Sequence, residues 1–255
     1  MSVLLEKNNR IFFIRVFFIF GMLKNRLCVQ CQQKQYLAPI YGKTYLFFLA
    51  QNGLSGYIIA MRIIAGSKKG MKLLSPKTQI SRPITDRVKE SLFSVLYKYD
   101  LPEGAIVADV FSGVGSLGLE ALSRGAEFVT FVEKDPKVIA VLKQNIEKAG
   151  FVEESKIIRA NAFNFGAVVD SGVEKYGLVF VDPPYAASMN VQPDSPLGGL
   201  LDILDEQVTA GGIVVVRTSG DVILLEGYGQ FQIVERRQWG TMAVSILTKK
   251  ECESA

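Results

Sequence analysis

A glycine-rich segment that joins an apolar strand to a helix is the feature that most constrains the fold of this chain. Residues 105–108 predict a buried strand, residues 119–124 predict a helix, and three glycines lie between them in the segment DVFSGVGSLG, residues 109–118. Glycines in such a turn let the backbone approach a nucleotide-like ligand closely. Because a dinucleotide-binding domain uses the same device, the glycine spacing alone leaves the class of ligand open.

Strands and helices continue to alternate after this segment. Apolar runs predict four further strands, at 128–132, 156–160, 178–181 and 212–217. This alternation predicts a Rossmann-like α/β fold, in which helices cover both faces of a mostly parallel sheet. The last two apolar runs, at 231–234 and 241–247, have no helix between them and predict an antiparallel closing hairpin.

Polar residues or glycines stand where four of these predicted strands end. Ligands of such sheets bind at the carboxyl ends of the strands, so we expect Gly113, Glu133, Asn161 and Asp182 to converge on one crevice. Glu133 is placed to accept hydrogen bonds from the two hydroxyls of a ribose. Asp109 precedes the first glycine by four residues and suits the amino end of S-adenosylmethionine, whereas the dinucleotide fingerprint has no use for it.

The tetrapeptide Asp182-Pro183-Pro184-Tyr185 directly follows an apolar strand and favours methylation of an amino group. An exocyclic amino group on a base is a poor nucleophile, and its two N–H bonds need acceptors that leave the lone pair directed at the methyl donor. The Asp182 carboxylate and the Pro183 carbonyl can be those acceptors, and Tyr185 offers a flat face to an extruded base. A simple strand-ending turn is the alternative interpretation.

Five separated segments resemble the RsmD-type small-subunit ribosomal RNA methyltransferases, in the order of that family. They are 61–66 (MRIIAG), 69–70 (KG), 82–93 (RPITDRVKESLF), 118–126 (GLEALSRGA) and 182–185 (DPPY). The resemblance covers residues 61–247 and implies a class I methyltransferase with a mostly parallel seven-stranded sheet and an antiparallel final strand. It also implies transfer of the methyl group of S-adenosylmethionine to N2 of one guanine in bacterial 16S rRNA, position 966 in the standard rRNA numbering.

The resemblance extends to individual residues. It implies catalytic roles for Asp182, Pro183, Pro184 and Tyr185, and cofactor binding by Thr85, Asp109, Phe111, Gly113, Gly115, Glu133, Asn161 and Ala162. Class I methyltransferases usually carry an acid where this chain has Asn161, and an amide still offers an acceptor to the adenine amino group. We expect weaker cofactor binding at most, and a purely structural asparagine at the end of a strand is the alternative.

Positive charge is concentrated in residues 62–98, which hold nine Lys or Arg against two acids, although the chain from Met61 onward has 22 Lys or Arg against 24 acids. Such a density predicts RNA binding. The residues assigned to it are Arg62, Lys68, Lys69, Lys72, Arg82, Arg87 and Lys89. A solvated surface is the alternative interpretation. Apolar residues at Val88, Leu92, Val95 and Leu96 share one helical face, and we expect that helix to pack over the cofactor pocket.

Composition excludes several chemistries. The chain has no histidine, so Ser-His-Asp hydrolysis and His-ligated zinc are excluded. Cys28 and Cys31 form a single CxxC, which supports neither a zinc site nor a disulfide framework, and we expect no metal. The few cysteines suit a reducing cytoplasm. We expect a cytoplasmic monomer that acts on 16S rRNA within an assembling small ribosomal subunit and has no stable membrane association.

The domain organisation follows from the same patterns. Residues 61–98 form the basic arm and helix, residues 99–248 the methyltransferase domain, and residues 249–255 a tail. Residues 1–60 hold seven Lys or Arg, one acid and an apolar run at 11–23 that Arg15 interrupts. Neither a signal peptide nor a membrane span fits this run, so we expect a misassigned start or a disordered extension, with a membrane-associating or targeting arm as the alternative.

Two other functions stay open from the residues alone. An amino methyltransferase for DNA adenine or for a protein glutamine uses a similar tetrapeptide, although such relatives more often begin it with Asn and would need a target-recognition domain. A ribosome-assembly factor without catalysis would keep the fold and the basic arm. The intact set of cofactor residues argues against that last function.

A protein that begins at Met61 is expected to be soluble, folded and fully active, because every residue with an assigned role lies at or after Arg62. The Phe-rich runs before Met61 should instead promote association. The check is to measure thermal unfolding and methyl transfer for the full chain and the shorter protein side by side. Loss of activity or a much lower Tm in the shorter protein would show that residues 1–60 belong to the working enzyme.

Overall fold

A computed structural model describes residues 2–7, 10–15, 61–76, 84–169 and 175–250. Most of the predicted extension 1–60, the basic residue Arg82 and the last five residues of the tail lie outside the described residues. The chain divides into two compact units, Met1–Ile58 and Ile59–Ala255. In the first unit, β1 (Ser2–Lys7) pairs with β2 (Arg10–Arg15) in an antiparallel ladder.

The second unit is built on one twisted sheet. Its strands are β3 (Ile106–Val110), β4 (Phe128–Glu133), β5 (Ser155–Arg159), β6 (Tyr176–Val181), β7 (Val208–Ser219), β8 (Gly227–Tyr228), β9 (Phe231–Trp239) and β10 (Met242–Lys249). Their order in space is β5-β4-β3-β6-β7-β10-β9-β8. The first five strands are parallel, and β10 runs antiparallel between β7 and β9. The predicted class I α/β fold and the closing hairpin are confirmed, and the two-residue β8 adds an eighth strand.

Helices cover both faces of this sheet. They are α1 (Asp86–Leu96), which ends in a 3-10 turn (Tyr97–Tyr99), α2 (Gly118–Ser123), α3 (Pro136–Ala149), α4 (Ala162–Phe165), α5 (Tyr185–Ser188) and α6 (Pro196–Gln207). Apolar side chains of α1, α2 and α3 share one core with Val107 of β3, whereas α6 shares the other core with Ala108. Adjacent residues of a strand point to opposite faces, so a buried strand with helices on both sides is apolar throughout. Within the described ranges, no helix combines the length and hydropathy needed to cross a membrane.

The ends of α3 show how the sequence places these helices. The Asp135 carboxylate accepts a hydrogen bond from the Lys137 amide, and Pro136 occupies the first helical position, where its missing N–H costs nothing. Gly150 ends the helix with φ of 71°, in the left-handed region that favours glycine. The helix therefore begins directly after β4 and leaves the end of that strand at the edge of the sheet.

A buried ionic cluster anchors the basic segment 61–76 to the sheet. The Glu120 carboxylate of α2 accepts hydrogen bonds from the backbone amides of Ile64 and Ala65 at 2.8 and 3.0 Å. The same carboxylate pairs with Lys89 of α1 at 3.1 Å and with Arg124 at 2.9 Å, and the three side chains are 0%, 1% and 2% exposed, in that order. One carboxylate thus joins the segment 61–76, α1 and α2.

The prediction that Lys89 binds RNA is wrong, because its side chain is buried and its ammonium group is already bound. Besides Glu120, that group donates to the carbonyl of Arg62 at 2.7 Å and to the carbonyl of Ser116 in the glycine-rich loop at 3.4 Å. Burial lowers the pKa of Lys89, and the Glu120 carboxylate opposes that change. Sequence counting included Lys89 among the surface charges because its burial depends on contacts between distant segments.

Asn145 of α3 makes a second anchor. Its Oδ1 accepts from the Leu74 amide at 2.8 Å, and its Nδ2 donates to the carbonyls of Leu74 and Val114 at 3.1 and 3.0 Å. This buried amide therefore connects the end of the segment 61–76 to the glycine-rich loop. The segment is held at both ends, at Ile64 and Ala65 by Glu120 and at Leu74 by Asn145.

The variant Glu120→Gln should lower the free energy of unfolding by about 3–5 kcal/mol, because it leaves the buried Lys89 charge without a carboxylate partner and Arg124 with the exposed Glu90 only. Urea denaturation at pH 7 measures the change. Glu90→Gln is the matched control, since Glu90 also pairs with Arg124 but is 57% exposed. That control should cost about 1 kcal/mol or less. Equal losses in the two variants would contradict the anchoring role of Glu120.

Candidate active site

A cleft of about 640 Å³ opens at the carboxyl edge of the parallel strands. Ten of the residues to which the sequence assigned a catalytic or cofactor role line it: Asp109, Phe111, Gly113, Glu133, Asn161, Ala162, Asp182, Pro183, Pro184 and Tyr185. The parallel register explains the convergence, because Val110 pairs with both Val132 and Val181, so that the residues after these strands meet at one edge. The roles of the individual residues stay predictions.

The glycine-rich loop after β3 uses its glycines in two ways. Gly113 has φ of 55° and would place a Cβ where no heavy atom lies within 4 Å, so its backbone borders open space in the cleft. Gly118 instead packs against β4, where a Cβ would lie 2.3 Å from the Phe131 ring. Gly115 lies behind the lining, and a Cβ there would be 2.6 Å from Leu142 of α3. This close packing accounts for a glycine at position 115, and the assignment of Gly115 to the cofactor stays a prediction.

Glu133 at the end of β4 is held by three backbone amides. Its Oε1 accepts from Lys134 and Asp135 at 2.8 and 2.9 Å, and its Oε2 accepts from Gly113 at 3.1 Å. The carboxylate therefore fastens the glycine-rich loop to the end of the neighbouring strand. Each carboxylate oxygen has two lone pairs, so one acceptor site, on Oε2, is left for a hydroxyl group of a ligand.

Asp109 at the floor of the cleft is 2% exposed. Its Oδ2 accepts a hydrogen bond from the Gly118 amide at the start of α2, at 2.8 Å. Burial raises the pKa of Asp109 well above its usual range, the Gly118 bond opposes the rise, and the nearby Asp182 and Glu133 carboxylates add to it. A cationic ligand in the cleft would lower this pKa again and favour the ionised form.

Phe111 follows β3 with φ of 64°, in the left-handed region that a bulky residue rarely adopts. Its ring lies 4.7 Å, centroid to centroid, from the ring of Phe163 in α4, and both residues line the cleft. This backbone conformation costs free energy and persists only where the surroundings impose it, which is common at binding sites. The two rings form an apolar wall between the glycine-rich loop and Asn161.

Asn161 and Thr85 both cap helices. The Asn161 Oδ1 accepts from the Phe163 amide at 3.3 Å at the start of α4, and the residue also lines the cleft. The Thr85 hydroxyl accepts from the Val88 amide at 3.4 Å at the start of α1. Thr85 is exposed, and its neighbour Ile84 lines the cleft. Capping gives each residue a structural role, and their assignments to the cofactor stay predictions.

Asp182 after β6 is paired with Arg217 of β7. Val181 is in register with Val216, so Asp182 and Arg217 occupy the next positions of two adjacent parallel strands. Nε of Arg217 lies 2.7 Å from Oδ1 of Asp182, and the two side chains are 12% and 25% exposed. Burial raises the pKa of Asp182, and the charge of Arg217 opposes that rise. Tyr185 begins α5 directly after the two prolines and is half-buried at the rim of the cleft.

The segment before α1 forms another wall of the cleft. Met61, Pro76 and Ile84 line it, so the arm borders the pocket, whereas the expected packing of α1 itself over the pocket stays a prediction. Of the residues predicted to bind RNA, Arg62, Lys69, Lys72 and Arg87 are exposed. Arg62 pairs with Asp86 at 2.7 Å. Lys68 is half-buried, with its ammonium group 5.5 Å from the centroid of the Phe151 ring.

Sequence reasoning did not assign Phe163 or Arg217 to the site. Arg217 could have been found, because it ends the predicted strand 212–217 and the rule applied to Glu133 and Asp182 applies equally to it. Phe163 carried no comparable signal, since its position depends on the short helix α4 folding back toward Phe111.

Comparison with known proteins agrees with this geometry. The family described as Conserved hypothetical protein 95 matches residues 61–248. The Bacillus subtilis protein YlbH is 32% identical over 192 residues, which cover 74% of this chain and 100% of YlbH. The ribosomal RNA small subunit methyltransferase D of Haemophilus influenzae is 38% identical over 138 residues, which cover 54% of this chain and 70% of that protein.

The fold is shared as well. The structure of the Escherichia coli protein yhhF is 28% identical, covers 74% of this chain and 97% of its own, and aligns with a TM-score of 0.62. The matched residues 61–248 include every residue that lines the cleft. This chain therefore has the class I methyltransferase fold and belongs to the RsmD family.

Proposed function

We propose that this protein methylates small-subunit ribosomal RNA, transferring a methyl group from S-adenosylmethionine to the exocyclic N2 amino group of a guanine in 16S rRNA. The observation that carries the proposal is the position of Asp182, Pro183 and Tyr185 in one cleft with the glycine-rich loop and Glu133. The name of the Haemophilus influenzae relative supports the RNA and the subunit. The choice of N2 of one guanine, at position 966, depends on the family resemblance.

The residues of the cleft fit S-adenosylmethionine, which when bound supplies an electrophilic methyl group on a sulfonium. Glu133, fixed by three backbone amides, has one lone-pair site left, on Oε2, for a ribose hydroxyl. Gly113 leaves room for a ligand against its backbone. Asp109 is a buried acceptor whose ionised form a ligand ammonium group would favour. Asn161 and Ala162 would border the adenine edge.

The Asp-Pro-Pro-Tyr segment would orient the amino group of the base. The Asp182 carboxylate would accept one N–H bond and the Pro183 carbonyl the other, which leaves the nitrogen lone pair free to point away from both acceptors. The prolines restrict φ and hold these two acceptors at a fixed separation. As the new N–C bond forms, the nitrogen becomes more acidic, and the Asp182 carboxylate can accept the released proton.

The target base would have to leave its stack to reach these acceptors. Tyr185, half-buried at the rim beside Pro184, offers a ring face for stacking against an extruded base. The exposed cations Arg62, Lys69 and Lys72 lie in the segment 61–76, which borders the same cleft at Met61 and Pro76, and Arg87 lies in α1. These cations would bind the phosphates around that base. Stacking of the base and binding of the phosphates would thus take place on adjacent surfaces.

The direct test is to incubate the full chain with labelled S-adenosylmethionine and 16S rRNA, either naked or in small subunits isolated from cells without this modification. Mapping the label by mass spectrometry should identify N2-methylguanosine in the 16S rRNA. Label on DNA adenine or on a protein glutamine would assign the protein to another class of amino methyltransferase. Saturable rRNA binding without any transfer would identify an assembly factor and overturn the proposal.

The variant Asp182→Ala should lower kcat roughly a hundredfold or more, because it removes an acceptor worth on the order of 3 kcal/mol in the transition state. The Kd for S-adenosylmethionine should change by no more than about threefold, since that acceptor serves the base and not the cofactor. Single-turnover transfer and calorimetric binding measure the two quantities. Asp194→Ala, which removes an exposed carboxylate between α5 and α6, is the control. A normal turnover rate in Asp182→Ala would disprove this mechanism.

Reversing Lys69 and Lys72 to Glu should weaken RNA binding and flatten its salt dependence, with S-adenosylmethionine affinity unchanged. Each lost phosphate contact lowers the magnitude of the log-log salt slope by about 0.7–0.9. Lys68 is left intact because its contact with Phe151 supports packing. The double control Lys143→Glu and Lys175→Glu makes the same change of charge at exposed positions outside the arm. An equal slope in both variants would assign the arm to ordinary surface.

A further inference from the structure

An arginine and a carboxylate share the floor of the cleft at equivalent positions of adjacent strands. Asp182 and Arg217 directly follow the register pair of Val181 and Val216, and Arg217 Nε lies 2.7 Å from Asp182 Oδ1. Both residues line the cleft, and both side chains are largely buried. Because the parallel ladder holds the two backbones, the pair is formed before any substrate is present.

We propose that Arg217 is a positioning residue for methyl transfer, which binds one oxygen of the Asp182 carboxylate and so directs the other oxygen, with its negative charge, at the amino group of the base. This inference rests on the proposed function, because it assigns Asp182 the role of acceptor. Arg217 acts through Asp182 and needs no contact with the base or the cofactor.

The charges around Asp182 explain why a fixed cation is needed there. Asp109 of β3 and Glu133 of β4 are further carboxylates at the same edge, and the negative charge of Asp182 adds to the raised pKa of Asp109. Asp135 and Lys134 after β4 also line the cleft, whereas Lys89 of α1 is already bound to Glu120. Arg217 is therefore the cation in direct contact with Asp182. A guanidinium group stays charged at any working pH, so its effect on Asp182 is permanent.

Orientation is the second part of the role. An unpaired carboxylate can rotate about its terminal torsion, which is broad, and it then presents its oxygens over a range of directions. The charged guanidinium, 2.7 Å from Oδ1, restricts that rotation by its attraction to one oxygen. The sheet also fixes the backbone of Arg217 on its other side, where Arg217 is in register with Val244 of β10.

Stability alone gives no reason for such a pair at this place. Replacing both members of a buried ion pair by apolar residues is often neutral or stabilising, although removing one member alone leaves a buried charge. Those two strands already share a parallel ladder of apolar residues, from Leu178 opposite Ile213 to Val181 opposite Val216. The contribution of Arg217 to the chemistry can therefore be measured separately from its contribution to folding.

The experiment measures kcat against pH for the full chain and for the variants Arg217→Met, Arg217→Lys, Asp182→Asn and the double variant Asp182→Asn with Arg217→Met. In Arg217→Met the acidic limb of the profile should move up by about one pH unit or more, because an adjacent opposite charge lowers a carboxyl pKa by roughly 1–3 units. On the plateau above that limb its kcat should fall by about tenfold or more, because the carboxylate is no longer held in one direction. Its Kd for S-adenosylmethionine should stay within about twofold.

The other variants separate positioning from structure. Arg217→Lys keeps the charge but loses the planar donor, so its acidic limb should stay near that of the wild type while kcat recovers only in part. With Asn at position 182, the limb should disappear, and the added change of Arg217 to Met should alter the residual rate by less than about twofold. Arg237→Met is the control, because it breaks an arginine–carboxylate pair with Glu235 in β9, outside the cleft. That control should leave the profile unchanged.

Different results would refute the role of Arg217 and the proposed function. An unshifted acidic limb in Arg217→Met, or independent effects in the double variant, would overturn the role of Arg217 while transfer by the wild type still supports the function. Absence of transfer by the wild type to any rRNA substrate would refute the function itself. If Arg217→Met does not fold, the profiles of Arg217→Lys and Asp182→Asn decide, since a shifted limb in the lysine variant contradicts the proposal.

Discussion

Parallel hydrogen-bond registers align the ends of β4, β3, β6 and β7 at one edge of the sheet. One row across these strands is formed by Val132, Val110, Val181 and Val216. The residue that follows each of these valines lines the cleft. A ladder of this kind cannot slip by one residue without turning every buried side chain to the other face. The positions of Glu133, Asp182 and Arg217 are therefore as well determined as the hydrophobic cores that hold the strands.

A single buried carboxylate extends that order to the segment that walls the cleft. Glu120 binds the amides of Ile64 and Ala65 together with the charged groups of Lys89 and Arg124. Lys89 in turn reaches the carbonyl of Ser116, within the glycine-rich loop. The basic segment and the loop that borders the cofactor space thus depend on the same cluster of charges.

The cleft combines several carboxylates with few cations. Asp109, Glu133 and Asp182 converge within it, and the negative charges of Asp182 and Glu133 add to the rise that burial causes in the pKa of Asp109. The structure offsets this with backbone amides at Asp109 and Glu133 and with Arg217 at Asp182. Each acid thereby has a different partner and a different electrostatic environment. Such a division is what a site needs when one carboxylate binds a ligand and another accepts a hydrogen bond from a reacting nitrogen.

The sequence alone determined the alternation of strands and helices, the closing hairpin and the set of strand ends that meet in the cleft, because periodicity and strand-end residues are local properties. It could not distinguish Lys89 from the exposed lysines, because the local sequence gives no sign that Lys89 is buried in an ion pair with Glu120. Nor could it reveal that Phe163 meets Phe111, or that Arg217 binds Asp182. These three contacts join residues 31 or more positions apart in the chain, and only the packing of helices and the register of the sheet bring them together.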